Sequence, residues 1–119
     1  MYSIKFFVSD RGDCPFREFL NALPAKVQGK FTKFLDLLAG LGPDLKRPYS
    51  DALRDGIREL RVKFGGDQYR ALYFFHRKYI IITHGFVKKT DSVPVEEIDR
   101  AFRARRSIEA RLSRGELVL

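Results

Sequence analysis

The sequence has little of several residue types that build common folds and sites. Its single cysteine, Cys14, allows no internal disulfide, which fits the reducing cytosol. One cysteine and two histidines give no metal-binding spacing, and no P-loop, GxGxxG or paired-carboxylate motif occurs. We therefore expect neither a metal nor a cofactor.

Long apolar runs are also absent. No stretch is long enough to cross a membrane, and the opening residues MYSIKFFVSDRGD lack the charged and apolar regions of a signal peptide. We therefore expect a cytoplasmic protein with no membrane contact. With 119 residues, the chain predicts one domain, residues 1–119, whose core needs no disulfide.

Acidic residues are the scarcer charged type. Lys and Arg number 23 against 15 Asp and Glu, which gives a net charge of +8 and a pI near 9.9. Between residues 54 and 89 there are nine Lys or Arg and three Asp or Glu, so +6 of the +8 lies there. Nucleic acid is the commonest partner of so basic a surface, and an acidic protein is the alternative.

Periodicity and turn residues predict an α+β fold in the order β-α-α-β-β-β-α. The first strand covers residues 2–8, and a helical hairpin follows, from residue 15 to the glycines at 40 and 42. Three strands joined by short turns form an antiparallel meander at residues 57–64, 69–75 and 79–86. Residues 44–56 read as irregular, residues 94–112 as the last helix and residues 113–119 as a frayed tail. The helices are expected on one face of a small twisted antiparallel sheet, with the other face partly open.

Alternation along the meander strands predicts which side chains share a face. In the first of these strands Arg61 and Lys63 lie opposite the apolar set. In the second strand both sets are apolar, so Arg70 could meet either a phosphate or a carboxylate such as Glu59. The third strand is predicted to place His84 on the same face as Ile80, Ile82 and Phe86, near a strand end that water reaches.

Basic residues interleaved with aromatic ones suit RNA, because cations contact phosphates and rings stack on bases. The residues predicted to bind RNA in this way are Arg58, Lys63, Tyr69, Arg77 and Lys78. The alternative is a solvated sheet face above a packed aromatic core. A single histidine, His84, among arginines and lysines of the third meander strand, with no metal, suits RNA cleavage by the 2′-hydroxyl, which needs a base, cations and an acid.

Four motifs in the second half of the chain resemble a known family. They are GIRELR at residues 56–61, YRALY at 69–73, HGFVKK at 84–89 and PVEEIDRA at 94–101. In this order and spacing they resemble the RelE/HigB superfamily of type II toxin–antitoxin toxins, in its phage-derived RelE-like branch. The preceding helical hairpin also fits, so the resemblance covers nearly the whole chain.

The resemblance implies a ribosome-dependent mRNA endonuclease that cuts without metal and inhibits translation. Its implied partners are mRNA, the ribosome and a cognate antitoxin, usually of helix-turn-helix type. The implied catalytic residues are Arg61, Arg70, His84, Lys88 and Lys89, with His84 as acid or base. RelE-type toxins also use a tyrosine in the C-terminal element, and no tyrosine follows Tyr79 here.

Two other functions remain open at this point. The same basic face suits a non-catalytic module that binds RNA or an acidic protein. A degenerate toxin that acts only with its antitoxin in regulation would have the same fold and charge. His84 likewise has a structural alternative, in which it packs at a strand end.

Overall fold

The computed structural model describes residues 1–119 and confirms the α+β class. Its elements are β1 (Ser3–Phe6), α1 (Pro15–Asn21), α2 (Ala25–Leu41), β2 (Ser50–Arg54), β3 (Ile57–Phe64), β4 (Asp67–His76), β5 (Tyr79–Lys88) and α3 (Val95–Ser113). The helical hairpin, the three meander strands and the last helix lie where periodicity predicts them. None of the helices is both long and apolar enough to span a bilayer.

The sheet has five strands in the order β1-β5-β4-β3-β2. Strands β2 to β5 are antiparallel neighbours, as the short turns predict, but β1 pairs with β5 in parallel. The sheet is therefore mixed rather than wholly antiparallel, because β1 reaches β5 through the rest of the fold and no hairpin fixes its direction. Strand β2 lies within the stretch expected to be irregular, and its five residues are too few to show a period.

The helical hairpin packs on one face of the sheet and forms the larger core. Phe16 and Phe31 are fully buried there, and their rings meet edge to face with centroids 5.8 Å apart. The strand residues of this core are Leu60, Val62, Tyr69, Ala71, Tyr73, Ile80 and Ile82. Strands β3 to β5 therefore contribute one alternating set of side chains to the hairpin.

Helix α3 covers the opposite face, which corrects the expectation that all helices share one face. Its buried residues Ile98, Ala101, Ala104 and Ile108 recur at helical spacing and form an apolar stripe. Ile57, Leu72, Phe74 and Ile81 complete this second core. Leu117 and Leu119, which are partly buried, also pack against it.

A β-bulge in β5 changes which side chains face which helix. Leu72 pairs with His84, but the next residue, Tyr73, pairs with Ile82, so Thr83 is the extra residue. Beyond the bulge the alternation is reversed. Ile80 and Ile82 face the helical hairpin, whereas His84 faces α3, so the prediction that these three share a face was wrong.

Gly85 allows α1 to approach the sheet closely. A Cβ atom placed on Gly85 would overlap the ring of Phe19, which packs against the larger core. His84 and Gly85 thus alternate between the two helical layers, the histidine toward α3 and the glycine toward α1. A side chain at position 85 would push α1 away from β5.

We expect Gly85→Ala to lower the free energy of unfolding by about 1–3 kcal/mol, because the added methyl group overpacks the contact with Phe19. Chemical denaturation measures the loss. Gly29→Ala is the matched control, since Gly29 is exposed in α2 and its Cβ would meet nothing within 4 Å. That control should gain about 0.5–1 kcal/mol of helix stability. A Gly85→Ala protein as stable as the wild type would contradict the contact.

Candidate nucleic-acid interface

The register of β3, β4 and β5 aligns the predicted site residues in rows on the face that carries α3. Directly opposite residues in antiparallel strands have their side chains side by side. The rows are Glu59–Leu72–His84, Arg61–Arg70–Phe86 and Lys63–Gln68–Lys88. Lys89 follows the last row at the end of β5 and is exposed. The structure thus brings Arg61, Lys63, Lys88 and Lys89 to one end of the sheet, which we call the basic end.

Beneath the basic end lies a buried ion pair between Arg70 and Glu59. Arg70 Nε donates to Glu59 Oε1 at 2.7 Å, and the two side chains are only 1% and 5% exposed. The guanidinium also donates to Gln68 Oε1 at 2.8 Å and to the Tyr69 carbonyl at 3.1 Å. Burial lowers the pKa of Arg70, while Glu59 opposes that shift, and the guanidinium remains charged. Arg70 therefore meets a carboxylate, the alternative that the sequence left open.

Arg61 is the more accessible arginine of its row. Its Nη1 donates to the second oxygen of Glu59 at 3.3 Å, and its side chain is 17% exposed. The Glu59 carboxylate thus bridges two arginines on adjacent strands. Arg61 has further donors that this contact does not use, so it can also meet an external anion.

A cleft of about 200 Å³ lies beside Arg61 where β2 no longer pairs with β3. Six residues line it, and none is acidic: Lys30, Phe34, Pro48, Tyr49, Arg61 and Lys63. We call this the edge cleft. Sequence reasoning missed Tyr49 and Lys30, because Tyr49 lies in an irregular stretch and Lys30 is one of several lysines on α2. Only an aromatic residue directly after a proline hints at the former.

His84 is buried and bonded on both ring nitrogens. Nε2 lies 3.0 Å from Glu97 Oε1 on α3, Nδ1 lies 2.9 Å from Thr83 Oγ1, and the side chain is 1% exposed. Burial, with the positive charges of Arg100 and Arg103, lowers the pKa of His84 to about 3 despite the bond to Glu97. The imidazole is therefore neutral at pH 7, with Nε2–H donating to the carboxylate. The prediction that water reaches His84 was wrong, because the bulge turns it under α3.

The remaining predicted residues lie away from the basic end. Tyr69 is buried in the larger core, where its ring meets Phe31 edge to face and has no free surface for a base. Arg58 lies on the hairpin face, with Nε 3.4 Å from the Tyr73 hydroxyl. Arg77 and Lys78 are exposed in the β4–β5 turn, at the opposite end of the sheet. The structure therefore does not bring these four together with Arg61.

A comparison with protein families shows where the chain belongs. Residues 18–106 match the model of the family described as Phage derived protein Gp49-like (DUF891). The chain belongs to the Gp49-like family. This family is associated with the toxins of toxin–antitoxin systems. No curated protein matches the sequence significantly. The match runs from α1 into α3, so it contains the Gp49-like chain's basic end and its edge cleft.

We expect Arg70→Met to lower the free energy of unfolding by about 3–5 kcal/mol, because Glu59 keeps its buried charge but loses its closest partner. Arg61→Met should cost much less, since Arg61 is partly exposed and Arg70 still pairs with Glu59. Adding Glu59→Leu to Arg70→Met removes the stranded charge and should recover part of the loss. Urea titration of the three proteins measures these changes. Wild-type stability of Arg70→Met would show that the ion pair does not support the fold.

We expect stability to fall on acidification because of His84. The unfolded chain takes up a proton on this histidine below pH 6.5, whereas the folded protein does so only near pH 3. Between pH 7 and pH 5 this difference removes about 2 kcal/mol of unfolding free energy. The His84→Gln protein should be less stable at pH 7, but its unfolding free energy should fall by about 2 kcal/mol less than that of the wild type between pH 7 and pH 5. Parallel pH profiles for both proteins would contradict the buried neutral histidine.

Proposed function

We propose that this Gp49-like protein is the toxin of a toxin–antitoxin pair and cuts mRNA on the ribosome without a metal. The observation that carries this proposal is the basic end of the sheet, where Arg61, Lys63, Lys88 and Lys89 converge beside a cleft with no carboxylate. Such a surface holds a phosphodiester backbone through charge. Family membership and the motif resemblance to RelE/HigB toxins support the same function.

In this proposal the basic end acts on the phosphate that is cut. In this reaction the 2′-hydroxyl loses its proton to water and its oxygen bonds to phosphorus, while the bond to the 5′-oxygen breaks and that oxygen takes a proton from water. Negative charge builds on the phosphate oxygens, and cations held in position stabilise that charge. Arg61 is suited to this task because Glu59 fixes one side of its guanidinium at 3.3 Å. Lys63, Lys88 and Lys89 would hold the flanking backbone. Lys88 Nζ already donates to the Thr90 carbonyl at 2.7 Å, which orders the start of the following loop.

Arg70 and His84 would then support the site without touching the RNA. Arg70 fixes Glu59, and Glu59 fixes Arg61. His84 joins β5 to α3 through Glu97, so it sets the position of α3 over the sheet. Both are positioning residues in this scheme, since each is 1% exposed.

The proposed partners follow from the same charge. An mRNA strand on the ribosome meets the basic end, which places the activity in the cytoplasm. An antitoxin silences the protein by covering the same cations, for which acidic side chains are the matching chemistry. A helix-turn-helix antitoxin is the form that the RelE/HigB resemblance implies.

A non-catalytic RNA-binding module is the second candidate, and the burial of His84 favours it. No histidine is available at the basic end to exchange a proton with the substrate. The two candidates make the same contacts with RNA, but only the nuclease leaves new RNA ends.

We expect induced expression without an antitoxin to stop growth and to produce new 5′ ends in messages that ribosomes are translating. Arg61→Ala should lower the yield of these ends about tenfold or more, because it removes a cation at the developing charge. Arg114→Ala is the matched control, since it removes the same charge at the exposed end of α3. Sequencing of message 5′ ends, with and without ribosomes, measures the effect. Binding to RNA with intact messages would select the non-catalytic module.

A further inference from the structure

Tyr49 presents an aromatic ring in the edge cleft. Tyr49 is one of the large hydrophobic residues that stay exposed, with 38% of its surface accessible. The ring rests edge to face on Phe34 of α2, with centroids 5.1 Å apart. On its other side the backbone is fixed, because Arg61 N–H donates to the Tyr49 carbonyl at 2.8 Å. The Tyr49 ring is therefore positioned by Phe34 and by its backbone hydrogen bond, and part of the ring remains accessible to solvent.

Three cations line the same cleft as this ring. Lys30 Nζ lies 5.7 Å from the centre of the Phe34 ring and donates to the Lys63 carbonyl at 2.6 Å, so it joins α2 to the free edge of β3. Arg61 and Lys63 line the same cleft. No acidic side chain lines the cleft, and Arg61 pairs with Glu59 at 3.3 Å through only one of its donors. The edge cleft thus combines a partly exposed ring with cations and has no carboxylate in its lining.

We propose that the edge cleft holds one unstacked base of single-stranded RNA against Tyr49, with the adjoining phosphates on Arg61 and Lys63. This rests on the proposed function for its RNA substrate and adds the place where a base is held. An aromatic face takes any base because every base has a π-face, and cations alongside track the backbone. The cleft, at about 200 Å³, is small and has room for one base rather than a base pair. Bases inside a duplex are stacked on each other, so duplex RNA does not fit.

A base on Tyr49 would place the neighbouring phosphate next to Arg61, whose guanidinium is hydrogen-bonded to Glu59. Arg61 lines the edge cleft and also belongs to the row Arg61–Arg70–Phe86. A base fixed on Tyr49 thereby limits which phosphate can reach the basic end. Tyr49 acts in this scheme through its ring and not through its hydroxyl.

The test measures the fluorescence of short single-stranded RNA that carries 2-aminopurine, a base analogue that dims when it stacks. Added wild-type protein should quench it, and so should Tyr49→Phe, which keeps the ring. Tyr49→Leu keeps an apolar contact with Phe34 but removes the ring. It should abolish the quenching and weaken binding about tenfold. Urea titration of each variant shows that the fold is retained.

Tyr79→Leu is the matched control, because Tyr79 also lies between two lysines, Lys5 and Lys78, each 5.9 Å from its ring. That variant should quench as the wild type does. The proposal would be overturned if Tyr49→Phe lost as much quenching as Tyr49→Leu, or if all proteins quenched equally. It would also be overturned if the wild type did not quench, or if it bound duplex RNA as well as single-stranded RNA. Quenching without cleavage would refute the nuclease but leave the base site standing, so the two proposals fail separately.

Discussion

The basic end of this sheet depends on one buried carboxylate, that of Glu59. Arg61 and Arg70 lie directly opposite each other on adjacent strands, where like charges repel. Glu59 offers one oxygen to each, which makes the burial of Arg70 tolerable and holds Arg61 at the margin of the protein. The buried carboxylate of Glu59 thus sets the position of the Arg61 charge at the basic end, although Glu59 itself contacts no external anion. Each arginine gives the carboxylate one N–H, and the other donors of Arg70 are used by Gln68 and the Tyr69 carbonyl.

The sequence predicts the helices and the meander because their patterns are long. Helix α2 has 17 residues and the strands β3 to β5 have eight or ten each, enough for a period to show. Strand β2 has five residues and gives no such pattern. The bulge at Thr83 leaves no trace in composition either, because a threonine is ordinary in any strand. That one unpaired residue reverses the alternation in β5. Counting every second residue through the bulge therefore assigns His84 to the face of Ile80 and Ile82, whereas it lies on the face of α3.

The same division applies to the candidate site. Arg61 and Lys63 were predictable because β3 alternates cleanly between apolar and charged residues. In β4 both sets of side chains are apolar, so sequence could not separate a buried Arg70 from an exposed one, nor a core ring at Tyr69 from a binding ring. Tyr49 belongs to no periodic segment. Its exposure depends on where β2 stops pairing with β3 and on the position of α2. Both are set by the tertiary structure and leave no local pattern in the sequence.

The parallel pairing of β1 with β5 has a consequence for synthesis. Ser3 is made well before its partner Tyr79, which follows only after the hairpin and three strands have been made. Until then Tyr2, Ile4 and Phe6, which pack against the larger core in the finished protein, have no sheet to join. Between the synthesis of β1 and that of β5 the nascent chain therefore carries an unpaired apolar strand, at the stage when strand pairing with another chain is easiest. Completion of β5 ends this exposure, so a strand made later protects one made earlier.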